Sequence, residues 1–235
     1  MRHIIIGDVH GCLSELRTLI AKVNLQPDDI VVFVGDLVMK GPDQSGVVQY
    51  ARELSYCNET ILVRGNHEDR LLRFLRAKIQ EPSRAHAMKN SAVLNEVGSS
   101  LSSPDIVFLD DSSFFYRFIS GDREFIVIHA GITPKMEHTQ FFSKPRKSSD
   151  RRRLKQLCHV KYISEDGSIN AFAENEDSRD FWAERYDGRF GYAIYGHTAY
   201  ADVVEHDHAI GVDLGCVYGN KLAALVIEGG KQHMV

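Results

Sequence analysis

Six side chains of metal-binding type each follow a short apolar run of the chain. The pattern begins with Ile4-Ile5-Ile6-Gly7-Asp8-Val9-His10-Gly11 and returns where Gly35-Asp36 follows Val31–Val34. Such runs, bounded by turn residues, are typical of buried strands, and α/β proteins bind ligands beyond the carboxyl ends of their strands. We therefore expect five strand ends to form one polar site, whose candidate ligands are Asp8, His10, Asp36, Asn66, His129 and His197.

The mixture of carboxylate and imidazole in this set predicts a site for two divalent ions. Such ligands suit Mn, Fe, Zn and related ions, and two ions about 3.5–4 Å apart can clamp a phosphoryl group. Asp36 lies between two groups of ligands in the chain and is the natural bridging carboxylate. We expect one ion at Asp8, His10 and Asp36, and the other at Asp36, Asn66, His129 and His197.

Four further residues are candidates for direct roles in catalysis. His67 follows a predicted ligand at a strand end, where it can point into the site without binding metal and act as a general acid. Arg64 and Lys40 stand near the same strand ends and could hold phosphate oxygens. Arg185 is a further candidate for phosphate contact, with Arg189 as its alternative. Glu68 either shapes the site or only complements the start of a helix.

The elements that must position these residues alternate strand and helix over the first eighty positions. Strands near Ile4–Ile6, Ile30–Val34 and Ile61–Val63 alternate with helices over about 13–23, 44–54 and 68–79. This order predicts a parallel sheet with crossover helices. Later runs predict a hairpin through Gly121-Asp122 and strands near 193–195, 203–205, 209–212 and 223–227. We expect one α/β domain with a second, mainly antiparallel sheet.

Composition is ordinary for a globular protein, with 43% hydrophobic and 26% charged residues. The net charge of −4 excludes a globally basic nucleic-acid binder, so no sequence-specific nucleic acid is expected as a partner. No apolar stretch approaches the length of a membrane span, and the short run Ile4–Ile6 is no signal peptide. We expect a cytoplasmic protein without membrane association.

The ordered motifs resemble those of the phosphoprotein phosphatase superfamily of calcineurin-like metallophosphoesterases. The resemblance rests on five segments spread over residues 4–227: Gly7-Asp8-Val9-His10-Gly11, Gly35–Gly41, Leu62–Glu68, His129-Ala130-Gly131 and Gly196-His197-Thr198. It implies an α/β (α+β) fold, a four-layered αββα sandwich with flanking helices. It also implies a dinuclear centre, with Mn²⁺ expected and Fe, Zn, Co or Ni as alternatives. The implied reaction is phosphoester or phosphoanhydride hydrolysis by attack of a metal-activated hydroxide.

Two positions depart from the protein phosphatases of that superfamily and bear on the substrate. Met39 stands where those enzymes carry an Asp that orients the catalytic His, and Lys40 replaces an Arg. Gly41-Pro42 and His129-Ala130-Gly131 are closer to the diadenosine tetraphosphatase branch, whereas Asn66-His67-Glu68 is common among protein phosphatases. We therefore expect a symmetrical bis(5'-nucleosyl)-tetraphosphatase. The alternatives are a Ser/Thr or Tyr phosphoprotein phosphatase and, less favoured, a catalytically silent binding module.

We expect a single domain over residues 1–235, with a variable excursion at about 135–190. The expected partner is a phosphorylated small molecule such as a dinucleoside polyphosphate, or else a phosphoprotein. The excursion carries a basic run from Lys144 to Lys155, which either grips a polyphosphate or is simply solvated.

Overall fold

Two five-stranded sheets and six α-helices form the described part of the computed structural model, residues 1–137, 154–164, 166–169 and 180–235. The helices are α1 (Leu13–Val23), α2 (Gln44–Leu54), α3 (Asn66–Gln80), α4 (Pro82–Ala87), α5 (Ser91–Ser100) and α6 (Ser103–Asp110). The strands are β1 (His3–Ile6), β2 (Ile30–Phe33), β3 (Glu59–Leu62), β4 (Phe115–Ser120), β5 (Arg123–Ile128), β6 (Tyr162–Ile163), β7 (Asp180–Phe181), β8 (Tyr192–Tyr195), β9 (Val204–His206), β10 (Ala209–Gly211), β11 (Ala224–Glu228) and β12 (Lys231–Met234).

The first sheet has the strand order β12-β11-β1-β2-β3. Strands β1, β2 and β3 are parallel, with α1 and α2 as their crossover connections. The predicted strand and helix alternation is thereby confirmed, and the carboxyl ends of three strands meet at one edge of the sheet. The antiparallel strand β11 pairs with β1, and β12 adds a partly exposed edge that the sequence did not predict.

The second sheet has the order β4-β5-β8-β10-β9 and is mixed. The predicted hairpin β4–β5 is confirmed, and β9 and β10 are antiparallel too. The prediction of a mainly antiparallel sheet was wrong, because β8 is parallel to both β5 and β10. The chain after β5 leaves the sheet and re-enters beside it in the same direction, so the ends of β5 and β8 lie side by side.

Apolar side chains fill the space on both faces of the first sheet. Ile5, Val32 and Leu225 pack between the sheets against Val127 and Ile194. The opposite face is covered by the helices, in the cluster that contains Ile4, Phe33, Leu16, Val47 and Leu71. The mixed α/β class and the metallophosphoesterase sandwich predicted from the resemblance are confirmed.

The outer face of the second sheet is covered by parts of the chain between β5 and β8. Trp182, Leu157 and Phe190 are buried there against Ile128 and Tyr195. Within the described residues this layer consists of 3-10 turns at Lys155–Cys158 and Trp182–Glu184 and of the small β6–β7 ribbon. Most of the basic run from Lys144 and of the acidic run that ends at Asp180 lies outside the described residues.

The described helices include none with the length and apolar character that crossing a membrane requires.

Candidate metal centre

The six predicted ligands all lie in loops that leave the carboxyl ends of strands. Asp8 and His10 follow β1, Asp36 follows β2, and Asn66 is the first residue of α3 after β3. The second sheet contributes His129 after β5 and His197 after β8. The parallel pairing within each sheet puts these ends at one edge, so residues nearly 190 positions apart become neighbours.

Asp36 occupies the middle of this group. Its Oδ2 lies 3.6 Å from Nε2 of His10 and 3.4 Å from Nε2 of His129. The Asp36 carboxylate therefore faces both predicted ligand groups, as a bridging ligand must. Burial would raise the pKa of Asp36, but the imidazoles of His129, His67 and His10 together hold it well below its usual range.

Asn66, His129 and His197 form a close-packed half of the site, called here the His129 half. Asn66 Oδ1 lies 2.9 Å from His129 Nε2 and 3.1 Å from His197 Nδ1, and the two imidazole nitrogens are 3.2 Å apart. Burial and the neighbouring His129 lower the pKa of His197 to about 3. Burial opposes protonation of His129 as well, but Asp36 and Asp8 outweigh it and raise its pKa to about 10.

His10 is the predicted ligand on the opposite side of Asp36, and with His67, Lys40 and Tyr218 it forms the His10 half. Its Nε2 lies 4.0 Å from Asp8 Oδ2 and 3.0 Å from Lys40 Nζ. The ring of His67 meets the His10 ring edge to face, with centroids 5.1 Å apart. Burial lowers the pKa of His10.

Backbone carbonyls fix the orientation of two ligand imidazoles. Nδ1 of His10 lies 2.9 Å from Val38 O, and Nδ1 of His129 lies 3.0 Å from Val34 O. An imidazole that bonds a carbonyl through one nitrogen presents the other to a metal, the usual arrangement around metal-ligating histidines. These residues fit two divalent ions with nitrogen and oxygen ligands.

Backbone strain is concentrated at the site. In the part of the chain that the structure describes, five of the seven non-glycine residues with positive φ belong to these loops: His10, Asp36, Met39, Lys40 and His197. Such conformations cost energy and are held where the surroundings determine them. Two glycines make room for the ligands, because a Cβ on Gly65 would collide with the Asp36 carboxylate and one on Gly196 with that of Asp8.

Glu68 fastens two of the ligand loops together. Its fully buried carboxylate accepts hydrogen bonds from the backbone N–H groups of Gly65 at 3.0 Å, Asp36 at 2.8 Å, Leu37 at 2.9 Å and Val38 at 3.2 Å. Burial raises the pKa of Glu68 to about 7. Both interpretations of Glu68 thus apply, since the residue lies in the first turn of α3 and also shapes the site.

His67 lies beside the predicted ligands, and its ring is only partly oriented by the described residues. Its Nε2 is 3.9 Å from Asp36 Oδ2 and its backbone N–H donates to Asp36 Oδ1 at 3.0 Å. Within the described residues, the buried Nδ1 of His67 has no hydrogen-bond partner. Met39 is a buried member of the helix-side core. Burial lowers the pKa of His67 to about 4, so the ring is neutral at pH 7.

The sequence profile of calcineurin-like phosphoesterases matches residues 1–201, which include all of these ligands. The chain belongs to the calcineurin-like phosphoesterase family. It is therefore a hydrolase of phosphoric esters or anhydrides, and the family implies divalent metal ions at the centre described above.

Relatives within this family carry related names. The chain is 28% identical over 238 residues to a protein of Oceanobacillus iheyensis named an asymmetrical bis(5'-nucleosyl)-tetraphosphatase, covering 95% of this chain and 88% of the relative. It is 36% identical over 141 residues to a Hamiltonella defensa protein named a symmetrical bis(5'-nucleosyl)-tetraphosphatase, covering 58% of this chain and 46% of the relative.

Solved structures agree on the fold. A crystal structure named as a candidate diadenosine tetraphosphatase superposes with a TM-score of 0.76 at 28% identity, covering all of this chain and 92% of the other. A cold-active protein-tyrosine phosphatase of a Shewanella species superposes with a TM-score of 0.55 at 14% identity, covering 99% of this chain and 77% of the other. The second likeness concerns the fold alone.

The three predicted arginine contacts have other partners in this member of the family. Arg64 is buried, and its guanidinium donates to Ser112 Oγ at 2.9 Å and to the carbonyl of Asp110 at 2.6 Å. Arg64 thus supports the turn after α6. Its guanidinium is engaged there and does not contact phosphate in the way that the sequence suggested. Arg185 donates to Asp180 at 2.8 Å, and Arg189 is paired with Asp187 at 2.6 Å.

Two residues of the site escaped the sequence interpretation. Asp213 is buried beside the ligands, and its carboxylate, after burial itself, is the next cause that raises the pKa of Asp8. It follows β10 in the segment Val212-Asp213-Leu214-Gly215, so the strand end with an acid and a nearby glycine was a usable signal. Tyr218, which accepts a hydrogen bond from Lys40 Nζ at 2.9 Å, gave no comparable signal.

Proposed function

We propose that this protein hydrolyses bis(5'-nucleosyl) tetraphosphates with two divalent ions, Mn²⁺ being the expected metal. The observation that supports an anhydride substrate is the low-pKa imidazole of His67, whose buried Nδ1 has no hydrogen-bond partner among the described residues. The names of the relatives that span nearly the whole chain point to the same substrate class. A cytoplasmic location remains a prediction of the sequence.

The argument rests on how much proton donation each leaving group needs. A phosphoanhydride releases a phosphate whose conjugate acid has a pKa of about 6, so it leaves as a stable anion. A phosphoserine releases an alkoxide whose parent alcohol has a pKa close to that of water, about 16. Because burial lowers the pKa of His67 to about 4, its imidazole is mostly neutral at pH 7 and seldom carries a proton that it could donate. This arrangement suits the anhydride better than the phosphoprotein.

In the proposed mechanism the two ions would supply Lewis acidity to the phosphoryl group and to the attacking water. Asp36 sets the spacing of the two ligand groups, and the Glu68 carboxylate keeps its loop in place. Lys40 contributes a positive charge at the His10 side, where it can contact a phosphate oxygen. His67 is placed to assist departure of the leaving oxygen from the same side.

A side-by-side assay with Mn²⁺ tests the proposal. Diadenosine tetraphosphate, a capped RNA, inorganic polyphosphate and a phosphoserine peptide are compared by kcat/KM, and diadenosine tetraphosphate is expected to lead the phosphopeptide by about 100-fold, the scale on which general acid catalysis acts. A preference for the phosphopeptide would overturn the proposal in favour of a phosphoprotein phosphatase.

Product analysis in the same assay determines the cleavage position. Two molecules of ADP report the symmetrical cleavage that we expect from the sequence, whereas ATP with AMP reports asymmetrical cleavage. Absence of turnover with all four substrates, although the protein binds Mn²⁺, would favour a silent binding module.

A further inference from the structure

An exposed aromatic ring stands at the rim of the metal centre. Tyr218 ends a short 3-10 helix, Cys216–Tyr218, in the loop between β10 and β11. Gly215 and Gly219 flank this helix with φ angles of 68° and 87°, conformations that favour glycine. The tight double turn holds Tyr218 away from the core, and 63% of the residue is exposed.

Lys40 joins this ring to the predicted metal ligands. Its Nζ lies 3.0 Å from His10 Nε2 and donates to the Tyr218 hydroxyl at 2.9 Å. The ammonium lies at the hydroxyl end of the ring, 5.1 Å from the centroid. Tyr218 is therefore separated from a ligand of the centre by a single ammonium group.

The loop that carries Lys40 is held rigidly enough to keep this arrangement. Met39 and Lys40 both have positive φ, 72° and 71°, and the Met39 N–H donates to Gln44 Oε1 at 2.9 Å. Strained backbone of this kind persists where the surroundings determine it and is concentrated at functional sites. Two separately constrained loops thus place a cation and an aromatic ring side by side at the rim of the centre, and the flexible Lys40 stem lets the ammonium leave His10 Nε2 when that nitrogen binds a metal.

We propose that Tyr218 is the stacking platform for one nucleobase of the substrate, with Lys40 on the phosphate chain between that base and the cleaved bond. The inference rests on the proposed function, because only a nucleotide offers a base beyond its phosphates. Aromatic rings stack on bases of any identity, and an ammonium on a flexible stem binds phosphate as a point charge. A phosphoserine or phosphothreonine peptide offers no flat ring at a fixed distance from its phosphate.

Kinetics on paired substrates tests the platform. The variants Tyr218→Ala and Tyr218→Phe are compared with the wild type on diadenosine tetraphosphate and on inorganic tetraphosphate, which lacks a base. Tyr218→Ala is expected to lower the ratio of the two kcat/KM values by about 10-fold to 100-fold, mainly through KM, as loss of a stacking partner does. Tyr218→Phe keeps the ring and is expected to keep the ratio within about twofold.

The matched control is Tyr56→Ala, since Tyr56 is also an exposed tyrosine bonded to a cation, Arg52, but lies after α2. Tyr56→Ala is expected to leave kcat/KM unchanged for both substrates. If Tyr218→Ala lowers turnover of both substrates equally, or if Tyr218→Phe behaves like Tyr218→Ala, the ring only positions Lys40 and the stacking inference is wrong.

Calorimetric titration with ADP separates this inference from the proposed function, because binding needs no turnover. If the wild type does not hydrolyse diadenosine tetraphosphate, the proposed function fails. Tyr218-dependent binding of ADP would then still support a base subsite, whereas equal binding by Tyr218→Ala and the wild type would overturn it.

Discussion

The two halves of the metal centre share Asp36 but are built differently. In the His129 half, Asn66, His129 and His197 contact one another at 2.9–3.2 Å. In the His10 half, His10 is surrounded by Lys40, by His67 with its unpartnered Nδ1, and by the exposed Tyr218 at the rim. One half is packed for holding an ion, and the other keeps its side chains available for a substrate.

The contrast shows which part of the site can determine specificity. Contacts within the His129 half leave no side chain free to change without disturbing another ligand. The His10 half contains Met39 and Lys40, the two positions at which the chain departs from the protein phosphatases. Differences in substrate between members of this fold are therefore expected to arise on the His10 side.

Asp36→Asn is expected to have the largest effect, because it disconnects the two halves. The amide carries one oxygen and no charge, so it cannot serve both ligand groups. The value of kcat/KM for p-nitrophenyl phosphate with Mn²⁺ should fall about 1,000-fold or more, at least the effect of removing one preorganised electrostatic contact. Asp43→Asn is the control in the same loop, since Asn caps α2 as well as Asp does. Near-normal turnover of Asp36→Asn would disprove the bridging assignment.

His67→Asn tests whether the His10 half donates a proton. Most activity should be lost with p-nitrophenyl phosphate, and phenyl phosphate, whose leaving group is poorer, should lose only slightly more, by less than about tenfold, because His67 is mostly neutral at pH 7. The measurement is the ratio of the two kcat/KM values in variant and wild type. An equal loss on both esters would give His67 a binding role and no role in proton transfer.

Glu68→Gln tests the connection between the loops behind the two halves. A glutamine keeps the size but presents an NH₂ group to backbone N–H donors, which leaves some of them unsatisfied. Affinity for Mn²⁺, measured by calorimetry, should fall about 10-fold to 100-fold, as is usual when a group supporting metal ligands is lost. The neighbouring Asp69→Asn is the control, because Asp69 pairs instead with Arg73 and Lys155. Unchanged affinity in Glu68→Gln would show that the loops hold without it.

The smallest expected effect is the dependence of metal affinity on pH in the His129 half. The pKa of His129 is raised to about 10, so its ring is protonated at pH 7, whereas burial keeps His10 and His197 deprotonated there. A metal binds only the deprotonated ring. Metal binding in the His129 half should therefore release about one proton at pH 7. The affinity for the metal should rise by about tenfold per pH unit up to the pKa of His129. Calorimetry in two buffers of different ionisation enthalpy measures this release, and a pH-independent affinity would contradict the difference between the halves.

The sequence predicted which loops meet at one edge of the sheets because their signals are local. A strand, a glycine and an acid or histidine stand within a few residues of one another, so Asp8, Asp36 and His197 could be recognised from spacing alone. The fold class followed from the same alternation of strands and helices. Asp213 carried a similar signal that was overlooked.

Long-range contacts explain what the sequence could not predict. Arg64 stands in the expected place, yet its partner Ser112 is 48 positions away and the guanidinium is turned toward it. The pairing of Lys40 with Tyr218 joins positions 178 apart. The parallel return of β8 beside β5 depends on packing of the intervening chain, and β12 is a polar edge strand that lacks a hydrophobic pattern.

The Glu68 connection has a consequence for which parts of this chain can change in length. Positions 63–65 alone separate β3 from α3, and the ligand Asn66, the imidazole of His67 and the Glu68 carboxylate follow in one helical turn. A residue inserted at positions 63–65 would displace Asn66, His67 and Glu68 together. Insertions and deletions should therefore be absent from this connection. The passage between β5 and β8 is attached at Ala130, whose N–H donates to Leu157 O at 2.7 Å, and rejoins the second sheet at Tyr192. Changes in length are therefore expected to be tolerated better in that passage than at positions 63–65.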